Sequence, residues 1–117
     1  IMIDGAHAEA DAKNLANYLR NIKEPKFAVW AMMKGKEPEL FIKQFKRIFK
    51  KIITIPIENE NNSMTAKDLA TIAEKNYFDT DTATNFTEAL KKITTPNNKL
   101  IVCLGSLYNV GNILNKN

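Results

Sequence analysis

Two short segments hold the residues best suited to chemistry. Asp4-Gly5-Ala6-His7 stands near the start of the chain and Gly105-Ser106 near its end. A carboxylate such as that of Asp4 has two acceptor oxygens, which suit the vicinal hydroxyls of a ribose. Its plainer role is to cap the helix that follows. His7 is the only histidine. A neutral imidazole can donate to a phosphate or carboxylate, and it can also accept a proton. The plainer role is a surface histidine near a helix start. Gly5 allows close backbone approach or a positive φ. Ser106 stands where a helix is expected to begin. Free N–H groups and the helix dipole suit that place to an anion, and an ordinary N-cap serine fits it equally well. Lys34 and Lys36 flank Gly35 at an expected strand end. They could attract a polyanion, although such lysines are more often merely solvated. One histidine and one cysteine far apart make no metal site. No nucleophile–base pair stands out.

These segments need elements to position them. Ile1-Met2-Ile3 reads as a buried strand. Residues 9–22 carry Ala12, Leu15, Ala16, Leu19 and Ile22 at helical spacing. Phe27 to Met33 is a continuous apolar run, so a buried strand. Residues 37–50 place Phe41, Phe45, Ile48 and Phe49 on a helical stripe, with Pro38 in its first turn. Ile52, Ile53 and Ile55 form a β-branched strand stopped by Pro56. Glu58 to Ser63 is a polar loop. Thr65 caps a helix running to about Lys75, with Asp68 as the acidic partner of a capping box. Tyr77-Phe78 reads as a short strand, and Thr82 as the cap of a helix carrying Phe86, Ala89, Leu90 and Ile93. Leu100 to Leu104 is the last buried strand, followed by a helix with Leu107, Val110 and Leu114.

This alternation of helices with continuously apolar strands predicts an α/β fold. Its sheet should be Rossmann-like and mostly parallel, with helices on both faces. Ligands of such sheets bind beyond the carboxyl ends of the strands. Asp4–His7 and Gly105-Ser106 are both expected there.

The chain has 117 residues, enough for one compact domain, here residues 1–117. Its formal net charge is +4. Lysine greatly outnumbers arginine, the residue preferred for reading base edges. The charge is therefore read as compositional, with no nucleic-acid partner expected. No apolar run approaches the roughly 20 residues of a membrane span, so no membrane partner is expected either. The lone Cys103 lies in an apolar run and reads as a buried thiol of a cytoplasmic protein. A buried strand seldom opens a chain, so sequence upstream of Ile1 is expected.

Asp4-Gly5-Ala6-His7 resembles the DGAHNP motif of folylpolyglutamate synthases, relatives of the Mur ligases. Leu104-Gly105-Ser106-Leu107-Tyr108-Asn109-Val110-Gly111 resembles their closing GSLYLVGEVL stretch. Between them, Trp30 to Glu37 is similar to a strand ending in a DKD-type turn. Thr54-Ile55-Pro56-Ile57 and Thr65 to Leu69 keep the family's order.

The resemblance implies the C-terminal domain of an ATP-dependent ligase that adds L-glutamate to a folate glutamyl tail and, in some bacterial members of the family, to dihydropteroate. ATP phosphorylates the carboxylate, and the glutamate amine attacks the acyl phosphate. The missing P-loop and the magnesium ion would belong to an N-terminal ATPase domain, this domain's own partner. The full-length protein would be a monomer and the isolated domain inactive. By the same resemblance Asp4, Gly5 and His7 contact ATP, His7 also serves catalysis and the incoming glutamate, and Ser106 holds glutamate or the folate tail. The sequence departs from the family at Ala8 and Glu9, where Asn and Pro are usual, and at Gly35-Lys36-Glu37, where the first carboxylate of the turn is gone. These departures leave open a second possibility: a non-catalytic module that binds a nucleotide or a partner on the same fold.

Overall fold

The structure is a computed structural model that describes residues 2–4, 9–94 and 97–105. Five strands form one sheet: β1 (Met2–Asp4), β2 (Lys26–Ala31), β3 (Lys51–Thr54), β4 (Thr80–Thr82) and β5 (Leu100–Gly105). Their spatial order is β1-β5-β2-β3-β4, and every pairing is parallel. Four helices connect them: α1 (Glu9–Leu19), α2 (Pro38–Lys43), α3 (Ala66–Lys75) and α4 (Phe86–Lys91).

The strand order dictates where the helices go. The steps β1 to β2, β2 to β3 and β3 to β4 all move the same way across the sheet. With right-handed crossovers, their helices must share one face. The step β4 to β5 moves back, so α4 must lie on the other face. The side chains agree. Alternate residues of the central strands divide between two cores. Ala28, Trp30, Ile52 and Val102 pack with Ala12 and Ala16 of α1, Phe41 of α2 and Leu69 of α3. Val29, Ile53 and Cys103 pack with Phe86 and Ala89 of α4. Both faces of the strands are buried, which explains their continuous apolar runs.

Helix ends depart from the expected ones for identifiable reasons. α1 ends at Leu19, with Asn21 and Ile22 tightening into i→i−3 turns. α2 ends at Lys43, and the stretch after it makes successive i→i−3 bonds until Arg47 takes a φ of 65°. The helical spacing of Phe45, Ile48 and Phe49 survives because such tight turns still bring one side inward. Glu37 is the N-cap of α2, at a φ of 51° and without a side-chain cap bond, and Pro38 stands in the first turn as expected.

α3 begins where the sequence places it. Thr65 accepts from the N–H of Asp68 at 3.0 Å. Two expectations further along are corrected. Tyr77-Phe78 is not a strand. Tyr77 has a φ of 68°, its N–H bonds the carbonyl of Glu74, and the N–H of Phe78 bonds that of Ala73. That pair of bonds is a Schellman motif closing α3, with tyrosine where glycine is usual. The strand comes later, at Thr80–Thr82. Thr82 therefore does not cap α4, because it pairs with Thr54 in the sheet. Asn85 caps instead, accepting from the N–H of Glu88 at 2.8 Å, while the Glu88 carboxylate accepts from the N–H of Thr84 at 2.9 Å.

The caps give a measurable expectation. Thr65→Ala and Asn85→Ala should each lower stability by about 1 kcal/mol. Thr71→Ala should cost under about 0.5 kcal/mol, because its exposed hydroxyl only bonds back to the carbonyl of Lys67. Urea denaturation of the three variants checks the ranking. Equal costs would contradict the assigned caps.

Candidate functional site at the carboxyl edge of the sheet

β1 and β5 are neighbours, and Asp4 pairs with Cys103. Asp4 is thus the last residue of β1, inside the strand's carboxyl end and not beyond it. Gly105 closes β5 two residues past that pair. The two segments singled out in the sequence leave adjacent strand ends, and neighbouring strands lie only about 4.8 Å apart. Gly5, His7 and Ser106 fall outside the described residues, as does the helix expected after Gly105. What the fold supplies is the convergence of the two exits on one edge of the sheet.

Gly105 is forced by its surroundings. Its φ is +106°, and a Cβ there would lie 1.5 Å from the backbone oxygen of Ala31, its partner on β2. No side chain fits. Glycine lets β2 and β5 close at their carboxyl ends. The sequence marks Gly105 only as part of a motif. This packing reason emerges from the pairing.

The next exit along the edge follows β2. Met33 forms an antiparallel bridge with Ser63, the N–H of Lys34 bonds the carbonyl of Asn62 at 2.7 Å, and the N–H of Met64 bonds that of Met32 at 2.9 Å. The loop after β3 is thereby stapled to the end of β2. Ser63 secures it, accepting from the N–H of Ile57 and donating to the carbonyl of Met64. Lys34 and Lys36 ride on the resulting turn as exposed side chains, around Gly35 at a φ of 85°. Of the cationic run after Phe41, Lys43, Lys46, Arg47 and Lys50 are exposed and Lys51 is half-buried. Lys51 opens β3, so this run approaches the opposite, amino-terminal edge of the sheet.

Between the exits of β3 and β4 the edge opens into a crevice of about 420 Å³. Ala66, which lines it, accepts at 2.6 Å from the hydroxyl of the fully buried Thr54. Sequence reasoning did not find this crevice, because the strand order that creates it is not written in any local motif.

Among the described residues, no group of three or more histidine, cysteine, aspartate or glutamate side chains could hold a metal ion. Nor is any helix there long and apolar enough to cross a membrane. Cys103 is buried.

Known proteins place this arrangement. The chain overlays a Mycobacterium tuberculosis folylpolyglutamate synthase complexed with ADP and AMPPCP at a TM-score of 0.85 and 20% identity, covering 97% of this chain and 28% of that one. An E. coli FolC in complex with DHPP and ADP gives 0.84 at 17% identity, covering 98% and 28%. A Yersinia pestis bifunctional folylpolyglutamate synthase/dihydrofolate synthase complexed with AMPPNP and a Mn ion gives 0.82 at 18% identity, again covering 98% and 28%. The chain thus spans little more than a quarter of the length of these proteins. No curated protein matches it in sequence. The family model described as dihydrofolate synthetase, C-terminal domain, matches residues 1–116, and the chain belongs to that family.

Proposed function

We propose that this chain is the part of an ATP-dependent ligase that closes over the nucleotide and presents L-glutamate for addition to a folate. The observation that carries the reading is the pairing of Asp4 with Cys103, which sends the Asp4–His7 and Gly105-Ser106 segments out from neighbouring strand ends. The family match and the nucleotide and DHPP complexes of the structural relatives support it.

In this reading Asp4 receives the ribose hydroxyls, and Gly5 lets the backbone approach the nucleotide. His7 stands between the phosphates and the incoming amine, where an imidazole can donate to one and take a proton from the other. Ser106 receives a carboxylate. Magnesium and the phosphate loop come from an N-terminal ATPase domain in the same chain, so the 117 residues alone do not turn over. The protein works in the cytoplasm as a monomer.

Kinetics of the full-length protein test the assignments. Asp4→Ala is expected to raise KM for ATP about tenfold, and Ser106→Ala that for glutamate about tenfold, each as the loss of one hydrogen bond to a charged or polar group. His7→Ala is expected to lower kcat about a hundredfold, as the loss of a positioned proton acceptor does. Three variants with wild-type constants would remove the site from this edge of the sheet.

A further inference from the structure

The sheet ends at β4, and a pair of side chains closes that edge. Among the described residues β4 pairs with β3 alone. Its residues alternate. The carbonyl of Asp79 accepts from the N–H of Ile52, and the N–H of Ala83 donates to the carbonyl of Thr54. Asp79, Asp81 and Ala83 thus turn their backbone groups toward β3, and Thr80 and Thr82 turn theirs away from it. Outward groups of this kind are a template on which another chain can add a strand.

Both outward groups of Thr82 are already taken. Its N–H donates to Oδ1 of Asp81 at 2.7 Å, and its carbonyl accepts from Nζ of Lys92 at 2.6 Å. The two side chains also face each other, with Nζ 3.5 Å from Oδ2 of Asp81. One backbone residue and two opposite charges close a ring. Lys92 is the C-cap of α4, so the helix on that face of the sheet supplies the cation. The ring adds little to stability, because its side chains are 38% and 42% exposed and ion pairs in that setting are weak. Its position explains more. β4 has three residues, and with Thr82 occupied only Thr80 remains facing outward. A single residue cannot carry a ladder.

We infer that Asp81 and Lys92 hold the free edge of β4 shut against strand addition by a second copy of this chain. A second copy suits that edge because β4 can meet its own image antiparallel about a twofold axis, with Thr80 opposite Thr82 and Asp81 opposite Asp81. Thr82 would have to give up both side-chain contacts at once. The two Asp81 carboxylates would also stand directly opposite, where like charges repel. The inference rests on the edge of β4 and is independent of the ligase reading.

Sedimentation equilibrium of the full-length protein tests it. Asp81→Ala with Lys92→Ala removes one charge of each sign, so the net charge is unchanged. This double variant is expected to raise the self-association constant at least about tenfold, as charge-assisted bonds cease to compete for Thr82. Lys92→Ala alone frees only the carbonyl and is expected to give a smaller rise. Glu39→Ala with Lys43→Ala removes a similarly exposed ion pair on α2, at 3.6 Å and away from any strand edge, and is expected to associate as the wild type does. Adding Thr82→Pro to the Asp81/Lys92 variant removes an outward N–H and leaves the ladder to β3 intact, since proline is tolerated on edge strands. Association is expected to return to the wild-type level. Circular dichroism establishes that each variant is folded. Three results would overturn the inference: no added association in either variant that lacks Lys92, equal association in the α2 control, or association that persists after Thr82→Pro.

Discussion

Gly105→Ala is expected to cost about 3 kcal/mol or more, a large fraction of the stability of a small domain. Two effects add. The φ of +106° is strained for any residue with a Cβ, and the Cβ itself would fall 1.5 Å from the carbonyl oxygen of Ala31 and 2.7 Å from its carbon. The obstacle is backbone in a central strand, paired on both sides, so it cannot turn aside as a side chain would. Gly35→Ala supplies the contrast. Gly35 also has a positive φ, +85°, but nothing lies within 4 Å of its would-be Cβ. That substitution should cost only about 1–2 kcal/mol, from backbone strain alone. Denaturant midpoints of the two variants, with unchanged slopes, separate the contributions. Equal losses would mean that β2 and β5 do not close on each other as described.

The second large effect lies at Trp30. It is fully buried, stacked on Phe41 at 6.1 Å between ring centres, and the aromatic series continues through Phe45 to Phe49 at 5.5 and 5.4 Å. This series holds α2 and the tight turns after it against the sheet, where short helical segments have little stability of their own. Trp30→Ala should therefore cost about 3–5 kcal/mol. Trp30→Phe should cost much less, under about 2 kcal/mol, for a particular reason. The indole Nε1 is buried and has no hydrogen-bond partner among the described residues. Removing it removes a desolvated donor along with the lost volume. Thermal unfolding followed by circular dichroism reads both variants. A Trp30→Phe loss as large as that of Trp30→Ala would show that the indole nitrogen has a partner.

Much of this architecture was legible in the sequence, and the reasons are physical. Val29, Ile53 and Val102 sit in strands buried on both faces, so their runs read as strands without alternation. Thr65 and Asp68 announced the start of α3 because a cap is a local device. Errors fell where tertiary structure overrode local signals. Tyr77 looks like a strand former, yet it takes the left-handed position that closes α3. Thr82 looks like a cap, yet the sheet claims it, and Asn85 three residues later does the capping. The helix expected over residues 37–50 was cut short at Lys43, a boundary that its unbroken apolar spacing conceals.

The candidate site divides in the same way. The motif residues near Asp4 and Gly105 were visible from their types and flanking strands. Their adjacency depends on β5 inserting between β1 and β2, which is a property of strand order. The β3–β4 crevice depends on strand order entirely.

The most direct test of the functional reading is the mass of the folate product. The full-length protein, given magnesium-ATP, L-glutamate and a reduced folate, is expected to yield a folate one glutamyl unit heavier, with ADP formed in step. ATP consumption without a heavier folate, or no reaction from a folded full-length protein, would contradict the claim that this chain serves a glutamate-adding ligase.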